Sequence, residues 1–394
     1  MEPMLRFKAD DGSVFPDWEE MTLGDVGSVA MCKRVFKEQT REVGDVPFFK
    51  IGTFGGVPDA YISKSLFDEL KSKYAYPEVG TILLSASGTI GRQVEYQGED
   101  AYYQDSNIVW LEHDDTVLDS YLKQFYSVVK WQGLEGSTIK RLYNKTILDT
   151  PFYRPSLPEQ RKIADLLSAV DDVISAQEAE VAAWEKRKKG VMQKLFSQEV
   201  RFKADDGSNF PDWEEQKIED VCVLNPRTEQ LDDEFYYMDL GSIDHGRWET
   251  PEIVNKVDAP SRAQRVAAID DVFFQSVRPY NMGHYHYVAA KDKQVVASTG
   301  YIQARMRNGS NAFLYQLFYE ERFNAEVNAR CTGSNYPAIN SRKFGEITVA
   351  LPSLPEQRKI ADCLSALDDV IIKAKNELAK WQELKKGLLQ QMFV

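Results

Sequence analysis

Cysteine is scarce in this sequence, where four cysteines are spread far apart over 394 residues. None stands in a C-x-x-C pair, which argues against a disulfide framework and against a zinc ribbon. Long apolar runs are absent too, because none approaches the ~18 residues of a membrane-spanning helix and the N-terminus lacks an apolar signal core. We therefore expect a cytoplasmic protein that has no membrane partner.

Common enzyme motifs are missing as well. The sequence has no GxxxxGK[ST] phosphate loop, no GxGxxG segment after a strand and no methyltransferase motif of the Asn-Pro-Pro-Tyr type. The segment nearest to the last of these, residues 225–227, lacks the aromatic residue. We expect a chain that is not an enzyme and that holds no cofactor of its own.

Two weaker patterns keep a nuclease or a metal site open as alternatives. Asp59, Glu69 and Lys71 follow the PD…ExK spacing of nucleases, in which two carboxylates hold Mg²⁺ and the lysine assists hydrolysis. The second half of the chain has no equivalent, so coincidence explains this match better. His284 and His286 form an H-x-H pair without further ligands at a suitable spacing, and we expect no metal there.

Positive charge is in deficit, since the formal net charge is −13. The deficit belongs to the segments 1–155 and 201–352, which carry −7 and −6, and it disfavours unaided binding to phosphate. Residues 120–148 nevertheless contain five basic residues and a single acid, and residues 327–345 contain three basic residues and no acid. These stretches indicate either local cationic faces or ordinary solvated charges.

An internal repeat organises the chain. The start motif RFKADDGSVFPDWEE at 6–20 returns at 201–215 with 14 of 15 residues identical. The segment SLPEQRKIADLLSAVDDVI at 156–174 returns at 353–371 with 17 of 19 identical. Two tandem units therefore share their beginnings and their ends, and only the regions between them diverge.

The repeated end segments have the pattern of long helices. Ser156 with Glu159, and Ser353 with Glu356, fit the S-x-x-E capping box, each with a proline in the first turn. Apolar residues then recur at alternating spacings of three and four, which is typical of a coiled-coil seam. A helix over residues 158–196 would be roughly 60 Å long, which exceeds an ordinary core helix.

The repeat also predicts how the two helices pack. If a pseudo-two-fold axis relates the units, the helices run antiparallel and the C-terminus returns to the first domain. Gln177, Lys188 and Lys385 interrupt the apolar seam, and polar residues at such positions help to fix register. A homodimeric coiled coil is the alternative use of these helices.

The divergent regions share one order of elements. Strand patterns around residues 80–87 and 270–277 are followed by others at 108–111 and 301–304, and helical patterns follow at 121–130 and 312–328. The sequence predicts an α+β fold of two tandem mixed domains, separated by an antiparallel coiled coil. The predicted boundaries are listed here: first domain 1–157, first helix 158–199, second domain 200–354, second helix 355–394.

Two units with near-identical start motifs and helices but different middle regions suit a protein that recognises two short DNA sequences a fixed distance apart. Two domains on one face of B-DNA are separated by about one helical turn, ~34 Å, or by its multiples. A pair of long helices can set such a spacing. A scaffold that binds only protein would explain the helices and the acidity, but it would not explain why the middles diverge while their flanks stay nearly identical.

The PEQRKIA segment that closes each unit, the FPDWEE segment, the repeat and the divergent middles together resemble type I restriction-modification specificity subunits over the full length. The resemblance implies that the middles are target-recognition domains for the halves of a bipartite site in double-stranded DNA. It also implies that the helices dock two methyltransferase subunits, with endonuclease or translocase subunits as further candidates. S-adenosylmethionine, ATP and Mg²⁺ are expected in those partners.

We predict that DNA-contacting residues lie in turns and loops of the middle regions, where arginine, lysine, asparagine, histidine, tyrosine and hydroxyl side chains can reach bases and phosphates. In the first domain the candidates are Ser87, Thr89, Arg92, Lys140, Arg141, Tyr143 and Asn144. In the second domain they are Arg278, Tyr280, His284, His286, Asn335, Tyr336 and Arg342.

Overall fold

Contacts divide the chain into two units that each contain parts of both long helices. The computed structural model describes residues 3–131, 141–227, 230–244, 246–248 and 250–393. Unit 1 comprises Met1–Glu178 with Asn376–Val394, and unit 2 comprises Ala179–Lys375. No helix within the described ranges is long and apolar enough to cross a lipid bilayer.

Unit 1 is built on an antiparallel sheet with a smaller sheet beside it. Its elements are β1 Glu19–Thr22, α1 Leu23–Val26, β2 Gly27–Ala30, β3 Val46–Phe49, β4 Tyr61–Ile62, α2 Lys64–Lys73, β5 Ile82–Ser85, β6 Gln93–Glu95, β7 Tyr102–Tyr103, β8 Ile108–His113, α3 Asp119–Val128, α4 Asn144–Leu148, β9 Pro151–Arg154 and the first part of the long helix α5 Leu157–Phe196. The larger sheet has the order β2-β8-β5-β6, and the smaller has the order β4-β3-β7 with β3 and β7 parallel. Strand β1 pairs with β9.

Unit 2 repeats this plan with additional strands. Its elements are β10 Glu214–Lys217, α6 Ile218–Val221, β11 Cys222–Leu224, β12 Glu234–Met238, β13 Ile243–Asp244, β14 Arg247–Trp248, β15 Glu252–Asn255, β16 Ala263–Val266, β17 Asp271–Gln275, β18 Tyr285–Tyr287, β19 Val295–Ser298, β20 Tyr301–Met306, α7 Asn311–Leu317, α8 Glu321–Arg330, α9 Ser341–Gly345, β21 Thr348–Leu351 and the first part of the long helix α10 Leu354–Met392. The sheet β11-β20-β17-β18 corresponds to β2-β8-β5-β6, and the sheet β15-β12-β19-β16 again contains a parallel pair, β12 and β19.

In each larger sheet one of the two central strands, β5 or β17, contributes to a core on each face. In β5, Ile82 and Leu84 join one hydrophobic core while Leu83 joins another. In β17, Val272 and Phe274 point into one core and Phe273 into the other. Because side chains alternate along a strand, a continuous apolar run is what a sheet with a core on each face requires.

The predicted elements are largely confirmed, with one difference in unit 2. The helix predicted at 312–328 is broken into α7 and α8. The carboxylate of Glu320 accepts a hydrogen bond of 2.6 Å from the backbone N–H of Phe323 and so caps a new helix. The apolar pattern continues across this break, which is why the sequence suggests a single helix.

A buried glutamate ties the start motif to the long helix in unit 1. Glu159 is fully buried and accepts from Arg6 Nε at 3.1 Å, Arg6 Nη2 at 2.9 Å and Trp18 Nε1 at 3.1 Å. The same Nη2 donates to the carbonyl of Pro16 at 2.7 Å. Bidentate arginine pairing of this kind fixes orientation as well as charge. This junction accounts for the arginine, tryptophan and glutamate of these motifs.

Unit 2 contains the same junction, and it overturns the predicted capping boxes. Glu356 accepts from Arg201 at 3.0 and 2.8 Å and from Trp213 Nε1 at 3.2 Å. The hydroxyls of Ser156 and Ser353 have no hydrogen-bond partner in the part of the chain that the structure describes. A capping box needs the serine hydroxyl and the glutamate carboxylate to bond to backbone N–H groups at the helix start. The prediction is therefore wrong, because an arginine that is distant in sequence binds the carboxylate.

The long helices pack antiparallel within each unit, as the repeat predicts. In unit 1, Lys385 of α10 pairs with Asp171 of α5, and Gln124 of α3 also donates to Asp171 at 3.2 Å. In unit 2, Lys188 of α5 pairs with Asp368 of α10 at 2.6 Å, and Gln316 of α7 donates to Asp368 at 2.9 Å. The seam lysines thus bind a carboxylate on the opposite helix, which favours one register.

The C-terminal end of α10 belongs to unit 1, as expected. The backbone N–H of Leu5 donates to the carbonyl of Gln391 at 2.9 Å. The ring of Phe393 stacks on Tyr121 with centroids 5.4 Å apart. The seam pairs Lys385–Asp171 and Lys188–Asp368, both within one chain, use the helix surface that a homodimeric coiled coil would need.

Candidate nucleic-acid interface

Two loops meet at the same place in each unit. In unit 1, residues 86–92 after β5 meet residues 141–144, and the N–H of Leu142 donates to the carbonyl of Ala86 at 2.8 Å. In unit 2, residues 276–284 after β17 meet residues 331–340, and the N–H of Ile339 donates to the carbonyl of Ser276 at 3.0 Å. We call these sets of residues loop pair 1 and loop pair 2.

The position of the loop pairs follows from the central strands. Strands β5 and β17 end where the sequence turns from apolar to polar, so the chain leaves the core there. The second loop of each pair leads into a short helix, α4 or α9. In unit 2 the side chain of Asn340 accepts from the N–H of Lys343 at 2.9 Å and caps α9.

The loop pairs differ in charge from the units that carry them. Loop pair 1 contains Arg92 and Arg141, loop pair 2 contains Arg278, and neither contains an acidic residue. Exposed tyrosines also collect there, since Tyr143 and Tyr336 are among the most exposed aromatic side chains of the described residues. Arginine and aromatic side chains on an exposed, acid-free surface are able to hold phosphate and to contact bases.

Most predicted residues of unit 1 lie in loop pair 1. Ser87 donates to Asn107 Oδ1 at 2.9 Å, Arg92 Nη1 to the carbonyl of Phe54 at 2.9 Å, and Arg141 Nη2 to the carbonyl of Ser106 at 2.7 Å. These bonds leave part of each guanidinium for another ligand. Exposed positions in the same loops or at the start of α4 are occupied by Thr89, Tyr143 and Asn144. Lys140 lies outside the described residues.

In unit 2, Arg278 and Tyr336 form a contact between the loops of loop pair 2. The guanidinium carbon lies 4.2 Å from the centre of the Tyr336 ring. Tyr280 and Tyr336 are 56% and 64% exposed, and Asn335 is exposed beside them. Arg342 lies in α9, just beyond the loop, and its exposed side chain is 3.4 Å from Glu346.

His284 is not part of an exposed surface. It is fully buried, its ring stacks on Phe274 with centroids 4.3 Å apart, and its Nδ1 accepts from the backbone N–H of Gln275 at 3.1 Å. Burial lowers the pKa of His284 to about 3, although the Phe318 carbonyl acts in the opposite direction, so the ring is neutral. A buried neutral imidazole cannot reach DNA, and we correct that candidate to a residue that shapes the loop.

The side chain of His286 is mostly buried and also bonds within the protein. Its Nε2 lies 2.7 Å from the carboxylate of Asp270, a residue with φ of 74°. The two histidines are thus held by different partners. Within the described ranges no group of three or more histidine, cysteine or acidic side chains could hold a metal ion.

The three residues of the nuclease alternative do not converge. Asp59 pairs with Lys50 at 2.8 Å, and Glu69 pairs with Lys73 at 2.9 Å along α2. The ammonium of Lys71 lies 4.6 Å from the centre of the Tyr76 ring. Each group therefore serves a local surface contact.

Two residues that shape loop pair 2, Gln275 and Gly283, were not predicted from the sequence. Gln275 is buried, its Nε2 donates to the carbonyl of Val277 at 2.9 Å, and its Oε1 accepts from the N–H of Gly283 at 2.9 Å. A Cβ on Gly283 would lie 2.3 Å from that Oε1. The sequence signal for Gln275 was a glutamine that follows an apolar run and stands just before a loop.

The comparisons with known proteins agree over most of the chain. The family model described as type I restriction modification DNA specificity domain matches residues 16–183 and 211–381. The type I restriction enzyme MjaVIII specificity subunit of Methanocaldococcus jannaschii is 25% identical over 98% of this chain and 95% of its own length. A specificity subunit of a type I restriction enzyme from Haemophilus influenzae is 54% identical over 39% of this chain and 40% of its own length.

A solved structure has the same fold. The crystal structure of a type I restriction-modification system S subunit from M. genitalium aligns with a TM-score of 0.61 over 100% of this chain and 99% of that chain, at 18% identity. At that identity the likeness concerns the fold alone.

Proposed function

The chain belongs to the family of type I restriction-modification DNA specificity subunits, and we propose that loop pair 1 and loop pair 2 each read one half of a bipartite target in double-stranded DNA. The observation that carries the proposal is the contrast inside each unit. The junction of arginine, tryptophan and glutamate is the same in both, whereas the loop pairs share their position and their backbone bond but not their side chains. One frame that holds two different exposed surfaces suits two different sequences.

We propose that two methyltransferase subunits bind the repeated parts of the chain. Exposed residues of α5 recur in α10: Arg161 corresponds to Arg358, and Asp165 corresponds to Asp362. Folding places few demands on exposed side chains, so their identity supports one partner surface presented twice. Endonuclease or translocase subunits are further partners. In this proposal S-adenosylmethionine, ATP and Mg²⁺ act in the partner subunits and this chain supplies recognition.

The net charge of −13 is compatible with this function if the partners supply cationic surface. The chain alone should then bind DNA weakly, and the complex should bind its target tightly. The salt dependence of binding by the complex should exceed that of the isolated chain, because more phosphates are neutralised.

The test is to express the chain with its methyltransferase subunits in cells and to sequence the adenine methylation of the genome. The proposal predicts one new bipartite motif with a gap of unspecified bases. The control is the same cells with the methyltransferase subunits alone. A complex that purifies intact but adds no methylation would contradict DNA recognition and support a protein-binding scaffold.

A further inference from the structure

The backbone at the Arg278 loop is held in an unusual conformation. Arg278 has φ 51° and ψ 59°, and Met282 has φ 52° and ψ 30°, so two non-glycine residues in the left-handed region flank the turn Pro279–Asn281. Such a backbone conformation is unfavourable for a residue with a side chain, and it persists where the surroundings hold it. Strain of this kind is concentrated at functional sites.

The surroundings hold this loop at both ends. The N–H of Arg278 donates to the carbonyl of Pro337 at 2.7 Å. Buried Gln275 bridges Val277 and Gly283 through its side-chain amide, and His284 accepts from the backbone of Gln275. The loop therefore presents Arg278 in one backbone conformation rather than in many.

The side chain of Arg278 is oriented by Tyr336, and none of the described carboxylates forms an ion pair with it. Tyr336 lies under its guanidinium, and the buried Nε has no hydrogen-bond partner in the part of the chain that the structure describes. Arg305 and Arg330 of the same unit, by contrast, pair with Asp271 and Glu326. An arginine that is stacked on an aromatic ring and forms no ion pair keeps its Nη donors for a ligand.

A fixed arginine is better suited to a base than to a phosphate. A phosphate accepts hydrogen bonds from many directions, so a flexible lysine or arginine can contact it. The O6 and N7 atoms of guanine accept two parallel hydrogen bonds in the major groove, and arginine is the side chain that most often makes that contact. We propose that Arg278, positioned by Tyr336, reads a guanine in the half-site of unit 2.

This inference rests on the proposed function, and methylation motifs test the two separately. The motif of the complex with Arg278→Lys should lose its guanine preference at one position of the unit 2 half-site, by about ten- to a hundredfold, and keep the unit 1 half-site. Tyr336→Phe should retain the preference and Tyr336→Ala should weaken it. Arg262→Lys, an exposed arginine before β16, is the matched control and should leave the motif unchanged.

Binding to synthetic duplexes provides the second readout. Replacing the critical guanine by 7-deazaguanine, which lacks the N7 acceptor, should weaken wild-type binding and should not weaken binding by the Arg278→Lys complex further. A uniform loss of affinity on every sequence would show a phosphate contact and overturn the proposal, as would an unchanged motif. No methylation by the wild-type complex would instead overturn the proposed function, and this inference with it.

Discussion

At the scale of single residues, Glu159 and Glu356 each hold the start motif of one unit against its long helix. Each is fully buried and accepts from one arginine and one tryptophan of the start motif. We predict that Glu159→Gln lowers the free energy of unfolding of unit 1 by about 3 kcal/mol, because it removes the buried negative charge that pairs with the guanidinium of Arg6. Chemical denaturation monitored by tryptophan fluorescence measures the loss.

The control is the exposed carboxylate of Asp17, which lies 4.0 Å from the same guanidinium. Asp17→Asn should change the unfolding curve little, because solvent screens exposed ion pairs. Equal effects of the two substitutions would contradict the role given to Glu159.

His284 predicts a dependence on pH. Its pKa of about 3 lies below the ordinary value of 6.5, so the folded state excludes a proton that the unfolded state binds. The contribution of neutral His284 to the free energy of unfolding is present above pH 6.5. About 2 kcal/mol of this free energy is lost as the pH falls from 7 to 5. The histidine NMR signal that is lost in His284→Asn should not shift between pH 8 and pH 5. A midpoint near 6.5 for that signal would show that the ring is exposed.

At the scale of elements, the seam lysines fix the register of α5 and α10. A double-mutant cycle on Lys385 and Asp171 should give a coupling energy of about 1 to 2 kcal/mol, and Lys188 with Asp368 should give a similar value. Both pairs are mostly buried between the helices. The exposed pair Lys380–Glu377 on the same helix is the control and should show no measurable coupling. Absence of coupling in the seam pairs would contradict a role in register.

Two helix glycines offer a stabilising prediction. Gly190 and Gly387 occupy equivalent positions in α5 and α10, and a Cβ at either would have open space. Gly190→Ala and Gly387→Ala should each raise the free energy of unfolding by up to about 1 kcal/mol, because alanine favours helix. Gly283→Ala is the contrast and should destabilise unit 2, since its Cβ meets Gln275. A thermal melt in which all three lower the midpoint would contradict this assignment.

The elements also show which features of this fold can be predicted from the sequence. The repeat and its apolar seam were sufficient to predict two units, two long helices and their antiparallel packing, because these features are periodic. The bonds from Leu142 to Ala86 and from Ile339 to Ser276 were not predictable, since they join loops more than 50 residues apart. Ser156 with Glu159 shows the opposite error: a local signature gave way to a distant arginine.

Individual site residues were predictable only in part, for the same reason. Arg278 and Tyr336 were both selected from loops of the middle region, but nothing in the sequence places one above the other. His284 was selected by residue type, although its side chain is fully buried. Exposure of a polar side chain depends on the sheet beneath it, and single-sequence patterns report that poorly.

At the scale of the whole molecule, the central claim is that the two units read DNA separately. Replacing residues 21–155 by the corresponding region of another family member leaves the start motif, both long helices and all of loop pair 2 in place. The partner surfaces are then unchanged, so the exchanged complex should still assemble and methylate.

The methylation motif of that exchanged complex is the decisive measurement. If each unit reads its own half-site, one half-site changes while the other half-site stays the same as in the parent complex. A motif in which both half-sites change, or in which neither changes, would contradict separate reading by two units.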